Sequence, residues 1–120
     1  MVDSEPRWVE KGHPRPAAKA DHGKLPMHLI PPEALTAMAN RLRVGAEKYS
    51  ERNWETGLQY SRTYSALMRH LLAWWGGEDI DPDPAAQGSS HLEAVLTNAA
   101  FLVTYEARKR GDLDDRPRVS

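Results

Sequence analysis

Four carboxylates, Glu78, Asp79, Asp81 and Asp83, stand within six positions, directly after an apolar run that carries His70, Trp74 and Trp75. Crowded carboxylates repel one another, and their pKa values rise unless a cation neutralises them. Hard divalent ions such as magnesium take oxygen ligands, usually one or two protein carboxylates together with substrate phosphates. Glu78 and Asp81, three apart, would lie on one side of a helical turn. The plainer alternative is a solvated acidic loop, which Pro82 and Pro84 favour. Two histidines bear on the choice. His70, Trp74 and Glu78 are spaced by four and share a face if the helix persists through Gly76-Gly77. His91 and Asn98, seven apart, share a face of a later helix. Taken singly, His70 reads as a core hydrogen-bonding group and His91 as a first-turn surface residue. Taken with the acids, the set points to a site.

Lys24, Lys48, Arg52, Arg62 and Arg69 are cations that bracket the first two helical segments. Arginine forks and lysine point charges suit a polyphosphate, although each alone also reads as a solvated surface charge. Tyr49, Trp54, Trp74 and Trp75 could stack on a base or fill a core, and Asn53 and Asn98 offer amide edges that could read one. A glycine-rich phosphate loop and a Walker pattern are both missing from the sequence. Any bound phosphate must then be held by side chains and a metal.

These residues need elements to position them. Six of the nine prolines fall in residues 1–32, which excludes regular helix there and predicts an extended arm, anchored from about Lys19 by Met27, Leu29 and Ile30. A first helix is predicted over residues 32–49, with Leu35, Met38, Leu42 and Tyr49 on one stripe and proline tolerated in its first turn. Residues 50–60 form a polar loop with Trp54 as its anchor. A second helix, residues 61–76, is apolar over so broad a face that it is expected at the centre. The third begins at Ser90, where Ser90 and Glu93 match a capping box, and ends near Gly111.

The fold class is therefore all-α: three main helices behind a proline-rich arm. Residues 1–18 are expected as a flexible arm, 19–111 as one helical domain and 112–120 as a frayed, charged tail. A chain of 120 residues with so thin a core is expected to complete its bundle by forming a dimer or higher homo-oligomer. A net charge of -1 gives no reason to expect nucleic acid or a membrane surface as partner. The absence of cysteine excludes disulfides and thiolate metal sites, and no apolar run is long enough to span a bilayer, so a cytoplasmic location is expected.

Several separated blocks occur together: KADHGKLPMHLIPPEAL, VGAEKYSERNWETG, SRTYSALMRHLLAWWGGEDIDPD and SSHLEAVLTNAAFL. In this order they resemble the phage dATP/dGTP diphosphohydrolase N-terminal domain family, itself related to the MazG-like all-α nucleotide pyrophosphohydrolases. The resemblance rests on Gly45, Ala46, Lys48, Tyr49, Asn53 and Trp54, then on Arg69, His70, Leu71, Trp74, Trp75, Gly77, Glu78, Asp79 and Asp81, and finally on His91, Leu92 and Asn98. Ala94 stands where many relatives have a second histidine, and Glu78-x-x-Asp81 has no preceding E-x-x-E partner of the MazG type.

The resemblance implies metal-dependent hydrolysis of dGTP or dATP to monophosphate and pyrophosphate, with Mg2+ or Mn2+. On that reading Glu78, Asp81 and His91 are the metal ligands, and His70, His91 and Glu78 the catalytic set. Lys24, Lys48 and Arg69 hold phosphates, while Asn53, Trp54 and Asn98 face the base. The incomplete carboxylate set keeps a second reading open, a nucleotide-binding protein that sequesters its ligand without turnover. A structural module that uses its tryptophans as an interface is a third.

Overall fold

The computed structural model describes residues 17–118. The expected loose arm, residues 1–18, therefore lies almost wholly outside the described residues, as do residues 119 and 120 of the tail. The rest is all-helical: α1 (Pro32–Lys48), α2 (Tyr60–Trp75) and α3 (His91–Ala107), joined by short 3₁₀ turns. Among the described residues there is no strand, only an isolated antiparallel bridge between Ile80 and Ser90. None of the helices described is long and apolar enough to cross a membrane.

Helix starts follow their sequence signals. Pro31 and Pro32 open α1, where a missing amide proton costs nothing. Ser90 and Glu93 form the complete capping box of α3: Ser90 Oγ accepts from the Glu93 amide at 3.2 Å, and Glu93 Oε2 accepts from the Ser90 amide at 2.8 Å.

The central helix is α3 and not, as expected, α2. α3 packs against both other helices, and α1 and α2 scarcely touch each other. The reason lies in side-chain size. α3 presents Ala94 and Thr97, both buried, so neighbours approach closely on two sides. α2 buries one side and leaves Tyr64, Leu72 and Trp75 exposed at 59%, 63% and 81%. A broad apolar face is thus partly uncovered in the single chain.

Two segments depart from expectation. Met27, Leu29 and Ile30 do not pack on the body: residues 17–33 are exposed throughout. Beyond α3 the chain is tied to the body as far as Arg116, whose guanidinium lies over the Tyr60 ring, where a frayed tail was expected. Leu113 is buried, Asp115 accepts from the Ser61 amide at 2.8 Å, and Asp114 pairs with Arg116 and Arg118.

Candidate functional site

Because α1 and α2 part company over α3, a cleft of about 1070 Å³ opens between them. The C-terminal half of α1 and the loop to Trp54 form one wall, Ala66, Arg69 and His70 of α2 the other, and Thr97, Asn98 and Phe101 of α3 the floor. Lys48, Asn53, Trp54, Arg69 and Asn98, expected from the sequence to hold a substrate, all line it. Lys24 does not; it is exposed in the arm segment.

These groups are held differently. Arg69 donates to Ser65 Oγ at 2.9 Å, and Lys48 lies over the Tyr49 ring at 5.3 Å; both cations remain exposed. Asn98 spends its amide nitrogen on the Ala94 carbonyl at 2.8 Å. Trp54 stacks on Phe101 at 5.3 Å and carries the Arg108 guanidinium at 5.2 Å. Arg52, also lining the cleft, adopts a left-handed φ of 57°, a conformation side chains other than glycine rarely take.

At one end of the cleft, His70 joins a second group of residues. α2 stops at Trp75, and Gly77 takes φ 102°, so Glu78 does not continue the His70 face as a longer helix would have required. The acidic segment is extended and closes on itself instead. The Asp81 amide donates to the Ser89 carbonyl at 3.0 Å, and the His91 amide to the Asp79 carbonyl at 2.9 Å, the two bonds flanking the Ile80–Ser90 bridge. In this extended form Glu78 and Asp81 do not share a helical side. Asp81 turns inward and is buried, whereas Glu78 stays exposed.

His70, Asp81 and His91 converge: one nitrogen from each imidazole and one carboxylate oxygen lie within 4.8 Å of one another. His70 Nδ1 is 2.8 Å from His91 Nδ1 and 4.0 Å from Asp81 Oδ2. On its outer side, His91 Nε2 is 2.7 Å from Glu78 Oε1. A carboxylate only accepts, so His91 Nε2 carries a hydrogen, and in neutral His91 the Nδ1 lone pair then accepts from His70 Nδ1–H. Glu78 therefore sits against the far ring nitrogen, outside the convergent three.

Burial pushes the His70 imidazole below its ordinary pKa, and nearby Arg41 adds to that shift against the opposing pull of Asp81. Burial alone would raise the Asp81 carboxyl, but the Asp83 amide, Arg41 and His70 together hold it below its usual range. Arg41 and Ser89, which the sequence reading passed over, complete this corner: Arg41 donates to Ser89 Oγ at 2.7 Å and lies 3.4 Å from Asp81 Oδ2.

This donor set fits a divalent ion. Two imidazole nitrogens and one carboxylate oxygen suit a first-row transition ion better than magnesium, which favours all-oxygen surroundings. The Glu78 carboxylate behind His91 is the kind of outer partner that fixes a ligating imidazole in place.

The family model described as "dATP/dGTP diphosphohydrolase, N-terminal" matches residues 14–116. The chain belongs to this family. A dATP/dGTP diphosphohydrolase of Salmonella phage PMBT28 is 32% identical to it over 98 residues, which make up 82% of this chain and 32% of that protein. The chain thus spans about a third of the length of this curated relative. No solved structure matches it significantly. The family's matched region takes in all of α1, α2 and α3, and with them the cleft and the His70–Asp81–His91 cluster.

Proposed function

We propose that the protein binds a deoxypurine nucleoside triphosphate, dGTP or dATP, in the cleft and hydrolyses it to monophosphate and pyrophosphate with a divalent ion. One observation carries the reading. A cleft lined by exposed cations and amide side chains shares the half-buried His70 with a cluster whose other members, Asp81 and His91, are buried. The family supports it, since the curated relative is named for this activity.

In the reaction, water attacks the α-phosphorus, the bond from that phosphorus to the α–β bridging oxygen breaks, and pyrophosphate leaves. Lys48 and Arg69 hold the phosphates, and Asn53 and Asn98 approach the base. His70, Asp81 and His91 would hold the ion, which supplies neutralisation of phosphate charge and a water of lowered pKa. Glu78 keeps the Nδ1 lone pair of His91 directed inward by accepting from Nε2. The buried wall at the cluster lowers the local dielectric and strengthens these attractions.

Incubating the protein with dGTP or dATP should release pyrophosphate with Mn2+, and more slowly with Mg2+, because the donor set is rich in nitrogen. Release of orthophosphate, or faster turnover with Mg2+, would contradict this assignment. One observation favours the alternative of binding without turnover: the Arg41 guanidinium, 3.4 Å from Asp81 Oδ2, can itself neutralise that carboxylate. Recovery of intact nucleotide from a tight complex after denaturation would select that reading.

The helical unit is further proposed to work as a homodimer that covers the exposed Tyr64, Leu72 and Trp75 face of α2. Sedimentation at micromolar concentration should show two chains per particle; a monodisperse monomer would remove this assignment.

A further inference from the structure

Asp81 offers the histidines one oxygen, and that oxygen already has a cation beside it. Oδ1 accepts from the Asp83 amide at 3.0 Å. Oδ2 lies 4.0 Å from His70 Nδ1 and 3.4 Å from both terminal nitrogens of Arg41. Charge-assisted N–H···O bonds normally close to about 2.7–2.9 Å, so Arg41 neutralises Asp81 without closing on it. The guanidinium makes its short bond to Ser89 Oγ, at 2.7 Å. Arg41 also lines the cleft together with Lys48, Arg69 and His70.

We propose that Arg41 is an exchangeable cation that couples metal binding to triphosphate binding. It is the counter-ion of Asp81 while the cluster is empty, and a phosphate ligand in the cleft once a divalent ion takes Oδ2. The inference rests on the cleft being a triphosphate site and adds Arg41 to its ligands. Two positive groups cannot share one carboxylate oxygen at a buried site without strong repulsion. An ion held by both histidines and Asp81 therefore expels the guanidinium, whose other partner among the described residues is a neutral hydroxyl. The adjoining cleft is where it can go, and its fork matches phosphate oxygens two at a time, as a lysine cannot. Linkage makes the effect reciprocal: the ion raises affinity for triphosphate by the factor with which triphosphate raises affinity for the ion.

The test uses the whole chain, Mn2+ and inorganic tripolyphosphate. Free Mn2+ is followed by electron paramagnetic resonance, and tripolyphosphate binding by calorimetry with and without Mn2+. Wild type should bind Mn2+ alone, and its affinity for tripolyphosphate should rise about tenfold when Mn2+ is present. Arg41→Met should bind Mn2+ alone more tightly than wild type, because the competitor for Oδ2 is gone, and should lose most of the manganese-dependent gain. If Arg41 is only a brace for the acidic segment, Arg41→Met will bind Mn2+ more weakly, and the proposal is overturned. An undiminished gain in the variant overturns it as well, as does a wild type that binds no Mn2+. Should Arg41→Met not fold, Arg41→Lys keeps the charge and removes the fork. It should hold Mn2+ about as wild type does and lose severalfold of the gain; an unchanged gain counts against the proposal. Coupling without hydrolysis of dGTP or dATP would remove the diphosphohydrolase reading and leave Arg41's role standing.

Discussion

His91→Ala is expected to abolish both the manganese-dependent rise in Tm and the release of pyrophosphate, while Glu78→Gln weakens each and keeps it. The difference follows from where the two side chains sit. The His91 ring is buried at the first position of α3, with Nδ1 in the convergent set and Nε2 on Glu78. Alanine removes one of the three convergent donor atoms and frees His70 from its 2.8 Å partner, which would leave two donors for an ion. Glutamine at position 78 still offers a carbonyl oxygen to Nε2 but no charge. Loss of such an outer partner typically costs about 10–100-fold in metal affinity or activity, and loss of the ligand itself costs more. Helix α3 should survive either change, because its start is held by Ser90 and Glu93, with Asn40 donating to Glu93 at 3.0 Å. Far-ultraviolet circular dichroism checks that point, and thermal melts with and without Mn2+ read the effect. If His91→Ala keeps a wild-type response, His91 is not a ligand. If Glu78→Gln is as damaging as His91→Ala, Glu78 is itself a ligand, as the spacing of the acids first suggested.

The three helices were legible because each carries its own signal. The proline pair, the capping box and the apolar stripes are local, and the helix ends fall within about one residue of where those signals put them, save that α3 stops at Ala107, short of Gly111. The cleft was partly legible: Lys48, Asn53, Trp54, Arg69 and Asn98 were named from residue type and family pattern, and they line both of its walls and its floor. Two matters were not legible. Apolar residues in the arm looked like anchors, yet Met27, Leu29 and Ile30 are 65%, 71% and 39% exposed, because apolar character says nothing about whether a surface is present to receive it. The fold of the acidic segment was also hidden. Asp81 is turned inward by amide bonds to Ser89 and from Asp83, and Arg41 reaches it from 40 residues away. Neither period nor propensity encodes such pairings. A sequence reading that treats Glu78 and Asp81 as a helical pair therefore puts both into the site, whereas the fold turns Asp81 inward and leaves Glu78 outside the convergent three.

The same contrast between local signal and distant partner governs Trp54, whose replacement by alanine is expected to produce the largest loss of stability. The ring stacks on Phe101 at 5.3 Å and lies under Arg108, and its carbonyl accepts from Tyr105 Oη at 2.7 Å. Tyr105 is the largest fully buried side chain among the described residues, so Trp54 fastens the polar loop to the C-terminal half of α3. Removing a core tryptophan typically costs about 3–5 kcal/mol, and because Trp54 is half-buried the lower figure applies. At about 4–8 °C per kcal/mol for a domain of this size, Tm should fall by at least about 12 °C. Tyr105→Phe separates the hydrogen bond from the ring. It strands the Trp54 carbonyl at a cost of about 1–3 kcal/mol, keeps the stacking surface and should leave nucleotide affinity unchanged. The measurement is a pair of melts, with nucleotide titrations on both variants. If Trp54→Ala lowers Tm by less than about 4 °C but lowers nucleotide affinity about tenfold, the ring is a platform for the base. In that case its contacts with Phe101 and Arg108 only steady a binding surface, and the loop is held to α3 by other means.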